Sequence, residues 1–240
     1  MSYTMDQTAN QSFGTVANES QSVQKSFLIK TYSHLVLGII IFATTIFSIV
    51  NTPVLLNSAL SIWRLPLASL IIMGMLIATS VGASWLANNS KNTALHYVGL
   101  LMYAIMNGFI TVPLVFGFLV RGAAGITALT NASILTIAIF VALTVVVMVT
   151  KPDLGFLGKF LAFSSIVALG LVIFSAIFSF NLGIWFTAAM ITLICGYILY
   201  ETSQMLHNYN SKQYVACALS LLASITNLFW YILRLFGSRN

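Results

Sequence analysis

Charge is scarce in this chain: of 240 residues ten are Lys or Arg and four are Asp or Glu, 6% in all, while 59% are hydrophobic. A water-soluble domain of this length could not cover its surface with so few charges, so that class is excluded and the chain belongs in a bilayer. Cysteine is nearly absent. Cys195 and Cys217 both fall in apolar runs, where a reduced thiol behaves as a small hydrophobe and a disulfide has little purpose. Catalytic and metal motifs are missing too. His34, His96 and His207 have no partner three or four residues away able to share a metal, and there is no HExxH, no intramembrane carboxylate pair and no phosphate-cradling glycine loop. No metal, cofactor or enzymatic activity is expected, and neither is an ATP-driven pump. The net charge of +6 would suggest nucleic acid in a soluble protein. Here the basic residues stand singly between apolar runs and read as topology signals, so the expected partner is the lipid bilayer.

Residues 1–24 are rich in Ser, Asn, Gln and Thr and lack the basic-then-apolar order of a signal peptide, so a flexible polar tail is expected. Residues 25–240 then form one membrane domain. A helix needs roughly 20 apolar residues to cross a core of about 30 Å. Tyr32–Val50, Leu65–Leu86, Tyr97–Val120 and Ala132–Thr150 supply four such spans, the second with Pro66 near its start. The 41 uncharged residues between Lys159 and Glu201 are twice what one crossing requires and must fold back. The turn at Ser179, Phe180, Asn181, Leu182 and Gly183 divides them into spans Phe160–Phe180 and Leu182–Tyr200. Tyr214–Ile232 is the seventh span. The expected fold is an all-α, polytopic seven-helix membrane protein. Lys25, Lys30, Lys91, Lys151, Lys159 and Lys212 gather on the N-terminal side against Arg64, Arg121, Arg234 and Arg239 on the other. That bias predicts a cytoplasmic N-terminus and a C-terminus across the membrane.

Three constellations carry expectations. Gly74, Ala78 and Gly82 recur every four residues in span two and predict a helix-packing face. Asn107, Gly108 and Pro113 in span three predict a kink or hinge, with Asn107 or Thr111 able to satisfy the carbonyl that Pro113 frees. In span seven Cys217, Ser220, Ser224, Asn227, Tyr231 and Arg234 share one helical face. Polar groups facing lipid are costly, so this stripe should look inward and make span seven the central helix, surrounded by the other six. It serves either as structural glue or as a pore or sensor lining. Of the four acids only Glu201 adjoins a span, which makes it a candidate proton sensor; the alternative is a carboxylate at the wetted interface, paired with Lys151, Lys159, Lys212 or His207.

The stretch Tyr197–Gly237, YILYETSQMLHNYNSKQYVACALSLLASITNLFWYILRLFG, resembles the Bax inhibitor-1 family of seven-span membrane proteins. So do Lys30, Thr31 and Tyr32 at span one, and Phe156, Leu157 and Gly158 after a Lys-Pro-Asp turn. The resemblance covers nearly all the chain after residue 24. It implies that calcium-leak members carry aspartates at the positions of Glu201 and Ser224, forming a pH-sensitive pair, and a basic latch where this chain has Asn88, Asn89, Ser90 and then Lys91. Glu201 facing Ser224 breaks that pair. The Glu-Thr-Ser of residues 201–203 with Ser224 is similar to the bacterial YccA-like branch, which the resemblance implies resides in the inner membrane and modulates the FtsH protease together with its regulators. Two functions are therefore expected: a non-enzymatic modulator of FtsH, or a cation leak, for Ca²⁺ or another cation, with Glu201, Ser224, Ser220 and Asn227 as the sensing and pore residues.

Overall fold

The computed structural model describes residues 15–65, 68–89, 93–178, 180 and 182–237. The expectations placed on residues 1–14 and on Pro66, Ser90, Lys91, Ser179, Asn181 and Arg239 lie outside the described residues. A 3₁₀ turn, Val16–Asn18, precedes eight helices: α1 Gln21–Val50, α2 Pro53–Trp63, α3 Ala68–Asn89, α4 Thr93–Leu119, α5 Ala123–Thr150, α6 Leu157–Phe178, α7 Gly183–His207 and α8 Tyr214–Gly237. Among the described residues α1 and α4 to α8 are each long and apolar enough to cross a membrane. Helix α3, 22 residues long, holds the shorter apolar stretch Leu70–Ala83 and is not among those six, so six membrane-length helices stand where seven spans were expected. The stretch expected to link the first two spans is itself helical. Pro53 starts α2 at a position where its missing N–H costs nothing, and Ala59 and Leu56 pack on Val112 of α4. At 11 residues, or ~16 Å, α2 does not cross.

Helix ends differ from the expected spans where hydroxyl residues had been read as loop. Helix α5 begins nine residues before Ala132, at Ala123, because Thr127 and Thr130 donate to the carbonyls of Ala123 and Ile126 four residues back and so need no water. Helix α7 runs past Tyr200 to His207 for the same reason. Thr202 is fully buried and donates to the Ile198 carbonyl at 2.7 Å. Ser203, also fully buried, reaches the α5–α6 turn, donating to the Pro152 carbonyl at 2.7 Å and accepting from the Leu154 N–H at 3.0 Å.

Helix α8 is the core, with thirteen of its 24 residues buried against two of 22 in α6. It touches α1, α3, α4, α5 and α7, while α6 packs on α7 and the edge of α3, and α2 on α1 and α4. The expected ring of six is thus a ring of five with two outer helices, α6 being separated from α8 by open space. On α3 the expected packing face is not crowded by described atoms. No described atom comes within 4 Å of where a Cβ on Gly74 would stand, Ala78 is exposed, and Gly82 meets only the Met102 Cε at 3.6 Å. Close approaches fall elsewhere. A Cβ on Gly108 would stand 3.1 Å from the Phe42 carbonyl oxygen of α1, and one on Gly196 of α7 would stand 2.9 Å from Leu161 of α6.

Helix α4 continues through Pro113. Thr111 donates to the Asn107 carbonyl at 2.8 Å, and the Asn107 amide donates to the Tyr103 hydroxyl at 2.6 Å. Neither therefore serves the Phe109 carbonyl four residues before the proline, as the sequence had suggested. Because Asn107 is buried and Gly108 lies against the α1 backbone, this segment is built as a packed joint.

The tightest glycine is Gly125, whose hypothetical Cβ would lie 1.8 Å from the Phe118 carbonyl oxygen across the α4–α5 turn. Gly125→Ala must displace that turn, and we expect a loss of about 3 kcal/mol, the upper end of overpacking costs. Gly170→Ala on α6, where a Cβ meets nothing within 4 Å, should be neutral or stabilising by up to ~1 kcal/mol. Thermal unfolding of the two variants in detergent should place their midpoints on opposite sides of, or one well below, the parent value.

Candidate functional site

The longer α7 relocates Glu201. It stands six residues before the helix end at His207, ~9 Å inside it, and not at a wetted terminus. Its partner is Ser224 of α8, whose hydroxyl donates to Oε2 at 2.6 Å, at the short end of O–H···O bonds. His207, one of the alternatives, turns its Nδ1 to the Ser203 carbonyl at 2.9 Å.

This pair sits at one end of a cavity of ≈560 Å³ between α3, α4, α6, α7 and α8. The cavity extends along α7 to Met190 and along α8 to Tyr231, ~16 Å of α7. Of the inward stripe, Ser224, Asn227 and Tyr231 line it. Cys217 is buried nearer the start of α8, Ser220 is half-buried there, and Arg234 is exposed beyond the other end. The stripe is thus continuous on the helix but only its middle faces open space. The hinge residues and the Gly74, Ala78 and Gly82 row do not line the cavity.

Other polar groups in the cavity escaped the sequence reading. Tyr197 of α7 and Ser165 of α6 share a hydrogen bond of 2.9 Å and both line the wall. Tyr103 of α4, 1% exposed, also reaches it; behind Tyr103 stand Asn107 and the Thr226 hydroxyl at 3.5 Å. The four-residue spacing of Tyr103 and Asn107 was a visible signal for one such pair. Nothing in the sequence joins Ser165 to Tyr197, 32 residues apart.

Between the pair and the face where α1 begins lies the α7–α8 turn, with Tyr209 folded inward. Burial first, and then the nearby Cys217 thiol, push the Tyr209 phenol up to about 12, with the Ser220 hydroxyl beside it pulling the other way. Tyr209 therefore stays a neutral phenol at physiological pH. Chemically the site offers one carboxyl group, six hydroxyl-bearing side chains and the Asn227 amide in a largely apolar chamber: it can hold a proton or a partly dehydrated cation.

The family model described as Inhibitor of apoptosis-promoting Bax1 matches residues 24–240. Bax inhibitor 1 of Schizosaccharomyces pombe is 26% identical over 224 residues, 92% of this chain and 80% of that protein. The Modulator of FtsH protease YccA of Escherichia coli is 30% identical over 168 residues, 68% of this chain and 74% of that one. An uncharacterised protein of Pseudomonas aeruginosa is 29% identical over 142 residues, 59% of either chain. The match therefore spans less than two thirds of that last relative's length.

The Glu201–Ser224 bond can be tested as an energy. In a double-mutant cycle of Glu201→Gln and Ser224→Ala we expect a coupling of about 1–2 kcal/mol in unfolding free energy, the range for a buried bond to a carboxyl group within a membrane bundle. Additive single losses would show that the two side chains do not meet.

Proposed function

The chain belongs to the Bax inhibitor-1 family, and from that membership we propose that it is a non-enzymatic bacterial inner-membrane protein that modulates the membrane-anchored FtsH protease, acting with the protease's regulators. The observation that carries this reading is the neutral partner of Glu201. With Ser224 donating at 2.6 Å, the site lacks the two like-charged acids that can share and release one proton cooperatively. A relative named for modulation of FtsH covers two thirds of the chain, and another relative is named as an inhibitor. The lysine bias supports a cytoplasmic N-terminus with the C-terminus across the bilayer, an arrangement that requires α3 to cross along with the six membrane-length helices. FtsH should co-purify with this chain from native membranes, and overproduction should slow turnover of a membrane-protein substrate of FtsH severalfold in a pulse-chase. Normal turnover with no co-purified protease rejects the proposal.

One observation favours a second reading, a cation leak for Ca²⁺ or another cation. The ≈560 Å³ chamber has a carboxylate at its inner end and Ser224, Asn227 and Tyr231 along one wall. Calcium takes six to eight oxygens, and a single carboxylate with neutral neighbours is a weak set. On this reading Ser224→Asp should install a pH-dependent Ca²⁺ flux in reconstituted liposomes, and adding Glu201→Gln should remove the pH response. Liposomes that stay tight with both parent and Ser224→Asp protein would dismiss it.

A further inference from the structure

The segment before α1 was expected to be a free polar tail, yet from Thr15 onward it is built into the bundle. Val16 is 2% exposed and belongs to the same buried cluster as Phe27 of α1, Met205 of α7 and Val215 of α8. Its backbone N–H donates to the Tyr209 carbonyl at 2.9 Å, and Thr15 pairs with Asn210 as an antiparallel bridge. The returning chain is tied to α1 by the Gln24 amide, which donates to the carbonyls of Glu19 at 3.0 Å and Ala17 at 3.3 Å. An aliphatic side chain, a backbone pair and a side-chain clasp thus hold six residues across the α7–α8 turn.

What lies beneath that turn gives the contact its meaning. Going inward from the strap come Tyr209 and Met205, the latter 1% exposed, then Cys217 at 2% and Ser220, and then the Glu201–Ser224 pair that ends the cavity. Both Cys217 and Glu201 lie close enough to Tyr209 to act on its charge. The Val16 bond and the bridge join the backbone of the segment to the backbone of this turn. We propose that Thr15–Ser20 is a strap that seals one end of the Glu201 cavity, seating Val16 as a removable plug that holds Tyr209 and the α7–α8 turn closed. The chamber then communicates with that face only when the strap lifts. This inference does not depend on whether the protein modulates a protease or conducts ions.

Cys217 is a built-in reporter, because it lies directly behind the turn. In a Cys195→Ser background held in nanodiscs, labelling of Cys217 by a membrane-impermeant maleimide, quantified on its peptide, should be slow in the parent. It should be at least tenfold faster in Val16→Asp, which places a charge in the apolar seat, and in Val16→Pro, which keeps an apolar side chain but removes the N–H given to Tyr209. Val16→Ile should label like the parent. A disulfide between Thr15→Cys and Asn210→Cys, directly opposite one another in the bridge and within the separation a disulfide spans, should return the Val16→Asp rate to the parent value until it is reduced. Parent-like labelling in both Val16→Asp and Val16→Pro overturns the strap. So does fast labelling that persists with the disulfide closed, which would mean general loosening of the bundle.

Discussion

A hydrocarbon surround offers nothing to a hydroxyl, an amide or a carboxyl, and that single condition organises this structure. Helix α8 carries Ser220, Ser224, Asn227 and Tyr231 on one face and Thr226 on another, so no orientation against lipid is acceptable and the helix must be enclosed. Its enclosure by α1, α3, α4, α5 and α7 follows from that need. The outer helices show the converse. Phe160, Phe163 and Ile166 of α6 are each about two thirds exposed, which is uncostly beside acyl chains, and α6 accordingly contributes to the site through little more than Ser165.

The same condition explains how threonine and serine are used. Thr111, Thr136, Thr202 and Thr226 are buried and each donates to the carbonyl four residues earlier. The hydroxyl is satisfied within its own helix and the outward surface becomes a methyl group. Helices α5 and α7 can therefore continue through segments that look polar in one dimension. The extension of α7 is what matters for function, because it carries Glu201 two turns inside the bundle and opposite Ser224. Across α8 from that pair, Thr226 meets Tyr103 and Asn107 of α4, so the central helix is fixed by polar contacts on two sides while the space between α3, α6 and α7 stays open.

The architecture was legible to an unusual degree. The six membrane-length helices and the apolar stretch of α3 lie where charge spacing and bilayer thickness place spans, and the inward stripe of α8 follows from three- and four-residue steps, because both depend on local periodicity. Legibility failed where the outcome depended on what a neighbour supplied. The Gly74, Ala78 and Gly82 row has the right spacing for close packing, but spacing states only that a helix can be approached. Close approaches between helices are made instead at Gly38, Gly108, Gly158 and Gly196. Likewise Asn107 was read as a partner for the proline-freed carbonyl, whereas a tyrosine four residues away offered a shorter bond. Ser165 and Tyr197 were invisible as a pair because the turn that brings α6 onto α7 lies between them.

The sequence by itself determined the solvent this protein lives in, the order of its apolar helices, the identity of its innermost helix and the presence of a single acid near the membrane interior. Each is a property of composition or of one helix taken alone. Only the tertiary structure decided that this acid is bonded to Ser224 inside a chamber, that two helices are excluded from the core, and that Val16 is buried against the α7–α8 turn. Those outcomes depend on which surfaces meet. A polar segment such as Thr15–Ser20 has no periodicity to announce its place; it is ordered by a gap between α1, α7 and α8 that exists only once the bundle has closed.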